Sequence, residues 1–104
     1  MSIEGIGKYG FFEAADCLYS ATAIDSVKEM QDFKGKSFSE KAGVVWDALR
    51  NKYPSFKWSV FCYKDGSGRY STGGSYLWFK REEFWFEIVA MQDQGFIDRL
   101  KNDK

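Results

Sequence analysis

From Lys52 to Met91 the chain runs as a helix stop followed by four short aromatic segments, and neither face of those segments is polar. Runs of strand length, rich in Phe, Tyr, Trp and Val, are interrupted at Asp65-Gly66, at Gly73-Gly74 and at the charged Lys80-Arg81-Glu82-Glu83. Such spacing predicts an antiparallel meander with tight turns. In Phe56–Tyr63 one face carries Phe56, Trp58, Val60 and Cys62, while the other still carries Phe61 and Tyr63. In Phe84–Met91, Phe84, Phe86, Ile88 and Ala90 alternate with Trp85, Val89 and Met91, and Glu87 alone is polar. A single-domain antiparallel sheet ordinarily covers one face with its own helices and wets the other. A sheet apolar on both faces therefore requires a second cover, most simply another copy of itself or a bound partner.

At 104 residues there is room for one core and not two. Fifteen basic residues balance fifteen acidic ones, so no global field steers the chain toward nucleic acid or an anionic membrane. Histidine is absent, which removes the commonest general base and the commonest metal ligand. A non-catalytic protein without metal or other cofactor is the expectation. Cys17 and Cys62 lie in apolar segments without CxxC spacing and read as buried, reduced thiols. Met1–Gly10 is polar and glycine-rich and lacks the apolar centre of a secretion signal. No apolar run reaches the roughly 18 residues of a membrane span. A cytoplasmic location follows as an expectation.

Residues 1–10 read as a frayed tail, 11–91 as the domain, and 92–104 as a second tail in which Phe96, Ile97 and Leu100 allow one or two helical turns. Phe11–Tyr19 fits either a strand or the lead-in to a helix. The spacing of Ile24, Val27 and Met30 predicts a helix over Thr22–Phe33, with Thr22 and Asp25 at its cap. Ser37 and Glu40 form a capping-box pattern before a second helix, whose stripe is Phe38, Ala42, Val45, Leu49 and Tyr53. Lys41, Asp47, Arg50 and Asn51 fall on its outer side, Val44 and Trp46 flank the stripe, and Pro54 ends the helix. Strands are predicted at Phe56–Tyr63, Arg69–Thr72, Tyr76–Phe79 and Phe84–Ala90. The result is an α+β domain: two helices packed on a four- to five-stranded antiparallel sheet.

Several chemical motifs fail on context. Gly66-Ser67-Gly68 and Gly73-Gly74 lead into strands rather than a helix N-terminus, so they are hairpin turns and not a phosphate loop. Asp16, Asp25, Glu29 and Asp32, and the Glu82-Glu83 pair, occupy solvated positions by pattern and read as surface charge. No segment has the alternating carboxylates of a calcium loop. Trp58, Tyr63, Tyr70, Tyr76, Trp78, Phe84 and Trp85 suggest base stacking, but they lack the basic groove that accompanies it. Core and interface are the better roles for these rings. The glycine-bounded segment Gly68-Arg69-Tyr70-Ser71-Thr72 is the most polar strand and reads as an edge open to pairing.

Lys52-Tyr53-Pro54 leading to Trp58 resembles the Lys-Tyr-Asn-Pro-x-Trp junction of the dynein light chain family of small peptide-binding hubs. Gly68-x-Tyr70-x-Thr72 is similar to that family's Gly-Ser-Tyr-Val-Thr strand. Tyr76-Leu77-Trp78-Phe79 stands where the family has Phe-Ile-Tyr-Phe, and Ala42, Val45 and Leu49 match its buried helix positions. The likeness runs over Phe12–Ala90 and extends to similar domains of flatworm tegumental proteins. It departs from the family in a shorter loop between Thr72 and Tyr76, in Phe38 and Ser39 replacing an acid-Lys pair, and in Lys80 replacing a groove tyrosine. The resemblance implies a homodimeric, cytoplasmic, cytoskeleton-associated adaptor of the microtubule-motor kind. Its strand around Tyr70 is exchanged between subunits, and an extended peptide, such as one from dynein intermediate chain, adds to the sheet.

On this reading Gly68, Arg69, Tyr70, Ser71, Thr72, Tyr76 and Trp78 bind the peptide, and Phe61, Tyr63, Tyr70, Trp85 and Val89 form the dimer interface. Two alternatives stay open. One is an inhibitor or immunity-type protein that binds a single partner through the aromatic face. The other is a small ligand-binding domain or enzyme with a pocket of Trp46, Trp58 and Trp85.

Overall fold

Apolar residues at helical spacing and one capping serine set the two helices of the computed structural model, which describes residues 3–9, 18–64 and 75–92. In chain order the elements are β1 (Ile3–Tyr9), α1 (Leu18–Lys28), α2 (Phe38–Lys52), β2 (Phe56–Lys64), β3 (Ser75–Arg81) and β4 (Phe84–Gln92). The fold is α+β, with both helices on one face of an antiparallel sheet. Among the described residues no helix is long and apolar enough to cross a membrane.

The Ser37 box is formed as expected. The Glu40 amide donates to the Ser37 hydroxyl at 3.1 Å, and the Ser37 amide donates to the Glu40 carboxylate at 2.9 Å. Two orphan donors of the first turn are thereby satisfied, and the Ser37 amide holds the Glu40 carboxyl below the usual carboxylate range. At the other end Tyr53, restricted by Pro54, leaves helical geometry at φ −130°, ψ 70°. Val45 and Leu49 of the expected stripe are fully buried.

The first helix begins a turn earlier than its cap pattern suggests. Tyr19, Ala23 and Val27 form its inner stripe, and the Tyr19 ring meets Tyr53 edge-on at 4.5 Å. That contact draws the start upstream to Leu18. Thr22 is thus not a cap: it lies in the second turn, with its hydroxyl 3.4 Å from that of Tyr53. The helix also ends early, at Lys28, and Asp32 takes a left-handed φ of 50°. Met30 and Phe33 are nonetheless buried in the core from the turns that follow.

Two cations expected in solvent are inside. Lys41 is only 2 % exposed, because positions 38, 41 and 45 share a helical stripe. Its Nζ donates to the Lys36 carbonyl and lies over the rings of Phe33 (5.0 Å) and Phe84 (4.4 Å). Arg81 continues the inward alternation of Leu77 and Phe79 and donates from Nη1 to the Val27 carbonyl at 2.8 Å. Its guanidinium stands 3.9 Å from the centre of the Phe33 ring. A cation at the last turn of α1 adds a second donor to the Val27 carbonyl and complements the helix dipole. The aromatic faces offset part of the cost of taking these charges out of water.

Among the described strands the sheet order is β1-β3-β4-β2, every pair antiparallel. The meander is therefore corrected: β2 pairs with β4, and the chain passes to the far side of β4 before returning through the β3–β4 hairpin. Strand β4 takes an interior place because it is apolar on both faces, with Phe86 through Ala90 all buried. The Lys80–Glu83 break is shorter than expected. Lys80 and Arg81 stay in β3, and only Glu82, at φ 58°, and Glu83 turn.

The frayed tail is likewise corrected, because Ile3–Tyr9 pairs with β3 as an edge strand. Its glycines serve packing. A Cβ on Gly7 would collide with the Trp78 indole, and one on Gly5, at φ 62°, would lie 2.6 Å from that of Trp85. The predicted Arg69–Thr72 strand, the 11–17 segment and the C-terminal helical turns lie outside the described residues.

Gly7→Ala is expected to lower stability by about 1–3 kcal/mol through overpacking. Gly43→Ala, on α2 with nothing within 4 Å of the added Cβ, should raise it by up to about 1 kcal/mol. Thermal unfolding of the two variants checks both signs.

Candidate functional site

Strand alternation and register sort the predicted site residues onto one surface. Lys57, Ser59, Phe61 and Tyr63 of β2, Trp85, Glu87, Val89 and Met91 of β4, and Tyr76, Trp78 and Lys80 of β3 all face away from the helices. Cross-strand rows follow from the pairing. The middle row is Phe61, Glu87, Trp78 and Gly7, and the next is Tyr63, Trp85, Lys80 and Glu4. Tyr76 and Val89 stand opposite one another.

The residues expected at the dimer interface and those expected to floor the groove thus share a face. Phe61, Tyr63, Tyr76, Trp78 and Trp85 are half-buried, and Val89 is buried. The rings of Tyr76 and Trp78 lie 5.5 Å apart, and the Lys80 ammonium sits 5.4 Å from the Trp85 ring. The two indoles extend over the β1 glycines. Gly68, Arg69, Tyr70, Ser71 and Thr72 lie outside the described residues, so the structure does not bring them to this face.

Glu87 is fully buried in the middle row, although both helices pack on the opposite side of the sheet. A carboxylate out of water needs hydrogen-bond partners or its proton. It stands between Phe61 and Trp78, buried within this aromatic surface.

Two separate clefts stand at the junction of α2 and β2. At one end a cleft of about 490 Å³ is lined by Trp46, Arg50, Lys57 and Met91, among others. The Trp46 indole donates to the Trp58 carbonyl at 3.0 Å and carries the Arg50 guanidinium 5.2 Å from its centre. At the other end a cleft of about 250 Å³ is lined by Lys34, Lys36, Lys41 and Lys64 around Phe38 and Phe84. Phe38, expected on the buried stripe, is 46 % exposed there.

The alternative tryptophan pocket does not assemble. Trp58 faces the helices and is core, whereas Trp85 faces the opposite way; only Trp46 and Trp58 meet. Asp25, Glu29, Asp32, Glu82 and Glu83 are exposed, as their pattern suggests, and Asp16 lies outside the described residues. Among the described residues no group of three or more His, Cys, Asp or Glu side chains is placed to hold a metal ion. Sequence reasoning missed the Lys41–Arg81 pair of inward cations and the lysine-lined cleft. The signal was available as spacing: Lys41 falls in helical step with Val45, and Arg81 in strand step with Phe79.

Cys62 faces the helix side as a free, half-buried thiol, and Cys17 lies outside the described residues. Burial pushes the Cys62 thiol from an ordinary 9.0 up to about 11, against the weaker opposing pull of Lys41. Compared with models of protein families, with curated proteins and with solved structures, the chain matches none.

Because the folded state holds the protonated thiol, the Cys62 contribution to stability is intact below about pH 9 and is lost as pH rises toward about 11. In a Cys17→Ser background, alkylation of native protein should follow a midpoint near 11. A midpoint near 9 would show the thiol to be solvated.

Proposed function

We propose that the chain is a non-catalytic interaction module that pairs with a second copy of itself and captures an extended peptide by strand addition. The aromatic surface turned away from the helices carries this reading. Tyr63, Tyr76, Trp78 and Trp85 keep part of their ring area in water, around Val89 and Phe61, on a face that neither helix covers. Half-buried Tyr and Trp are the side chains that interfaces favour, since their rings supply apolar area and their polar tips find partners.

Strand addition draws on the sheet's edge. Among the described strands β2 has a strand neighbour on one side only; it is nine residues long, and on its other side Trp46 already holds the Trp58 carbonyl. Backbone groups along such an edge supply affinity, and pockets for alternate side chains supply specificity. Residues 68–72 enter the proposal through the resemblance alone, as the strand that crosses to the second copy and runs beside the peptide. On the same basis the module is cytoplasmic and cytoskeleton-associated, and its peptide is of the dynein intermediate chain kind.

Light scattering on a sizing column should give a dimer at micromolar concentration. Tyr63→Lys should give a folded monomer, because an unpaired charge in a desolvated interface is strongly unfavourable. Tyr70→Lys tests the exchange, which predicts loss of dimer and of peptide binding together. A monomeric wild type would overturn the dimer, and a stable Tyr70→Lys dimer with normal peptide binding would overturn the exchange.

A further inference from the structure

We propose that the α2–β2 seam selects an acidic peptide, one with carboxylate side chains toward both ends of its extended segment. This rests on the strand-adding reading and names the class of partner.

Helix and strand run in opposite directions along the seam. The N-terminal end of α2, with Phe38 and Lys41, meets Lys64 at the end of β2, while Trp46 and Arg50 meet Phe56–Ser59 at its start. The two clefts therefore mark opposite ends of one nine-residue strand. At about 3.3 Å per residue the two ends of that strand lie about 26 Å apart, which is the reach of about nine extended residues.

The charge along this line is one-sided. The chain as a whole is balanced, fifteen against fifteen. Yet Lys34, Lys36 and Lys64 line one cleft above the buried Lys41, while Arg50 and Lys57 line the other, and no carboxylate stands among the described lining residues of either. Glu82 and Glu83 reach two lysines of the rim, Lys34 at 3.6 Å and Lys64 at 3.9 Å. These pairs are solvated, and a competing carboxylate displaces such contacts at little cost. Each cleft also offers an exposed ring, Phe38 at 46 % and Trp46 at 37 %. Trp46 is held by its bond to the Trp58 carbonyl and already stacks on Arg50, so the guanidinium is presented toward the cleft on a fixed platform. A segment with acidic residues near both ends and apolar residues beside them matches both the sign and the spacing.

The test is an array of random nine-residue peptides probed with the full chain, followed by anisotropy titrations of the best binders and of their Glu→Gln and Asp→Asn versions. Acidic residues should be enriched toward both ends of the bound peptides. Each neutralised end should cost about threefold in affinity at low salt, and the difference should shrink as salt screens it. Arg50→Gln should erase the preference at one end only and Lys64→Gln at the other, both with unchanged circular dichroism. Binders without acidic enrichment would overturn the acid selection and leave strand addition standing. No binder of any sequence would overturn the strand-adding reading itself. A wild-type dimer that Arg50→Gln and Lys64→Gln dissociate would assign the seam to a second copy and overturn the proposal.

Discussion

Burial of β4 on both faces is the constraint from which the rest of the arrangement follows. Phe86, Ile88 and Ala90 point into the helices, and Glu87 and Val89 are equally withdrawn from water on the other side. A strand so placed cannot lie at an edge without exposing one apolar set, so it takes neighbours on both sides. The β3–β4 hairpin supplies one neighbour through a two-residue turn, and β2 supplies the other across a longer connection. The helices then need to cover only one surface, and the aromatic residues between the β4 inward positions are left as the candidate contact face.

The helix side is joined to the sheet through Phe33, whose ring contacts both inward cations. Lys41 reaches it from α2 and Arg81 from β3, while Phe84 and Phe86 flank it from β4. Arg81 also holds the Val27 carbonyl of α1 and that of Met30 just beyond it, so one guanidinium ties the end of a helix to the end of a strand. The same cluster borders the lysine-lined cleft. Phe84 belongs both to this packing and to the cleft wall, so the strand core supports that wall, while Lys34 and Lys36 stand on the turns before α2.

Local chemistry was legible in the sequence; long-range pairing and glycine packing were not. The Ser37–Glu40 box, the stop at Pro54 and the inward set Trp58, Phe86 and Ile88 depend on near neighbours or on strand alternation, and all are present. Strand order was hidden because hairpin signals describe adjacent segments, whereas β2 meets β4 from far along the chain. The N-terminal strand was hidden because Gly5 and Gly7 resemble a flexible tail until the indoles that need their space are known. Lys41 and Arg81 were misplaced for a related reason: charge was weighed above periodicity, although backbone carbonyls and aromatic faces accommodate a cation inside. Of the expected site, alternation puts the groove residues Tyr76 and Trp78 on the same face as the interface residues Phe61, Tyr63, Trp85 and Val89, while residues 68–72 lie outside the described segments.

Residue-resolved hydrogen exchange at two protein concentrations tests the central claim, that an interior β4 leaves β2 as an edge available for pairing. In dilute solution β4 amides should exchange only with global unfolding, while the β2 amides of Val60 and Cys62, which face away from β4, exchange quickly. At high concentration, or with bound peptide, those same β2 amides should become protected. Exchange of β4 as fast as that of β2, or a β2 edge unchanged by concentration and by peptide, would contradict the account.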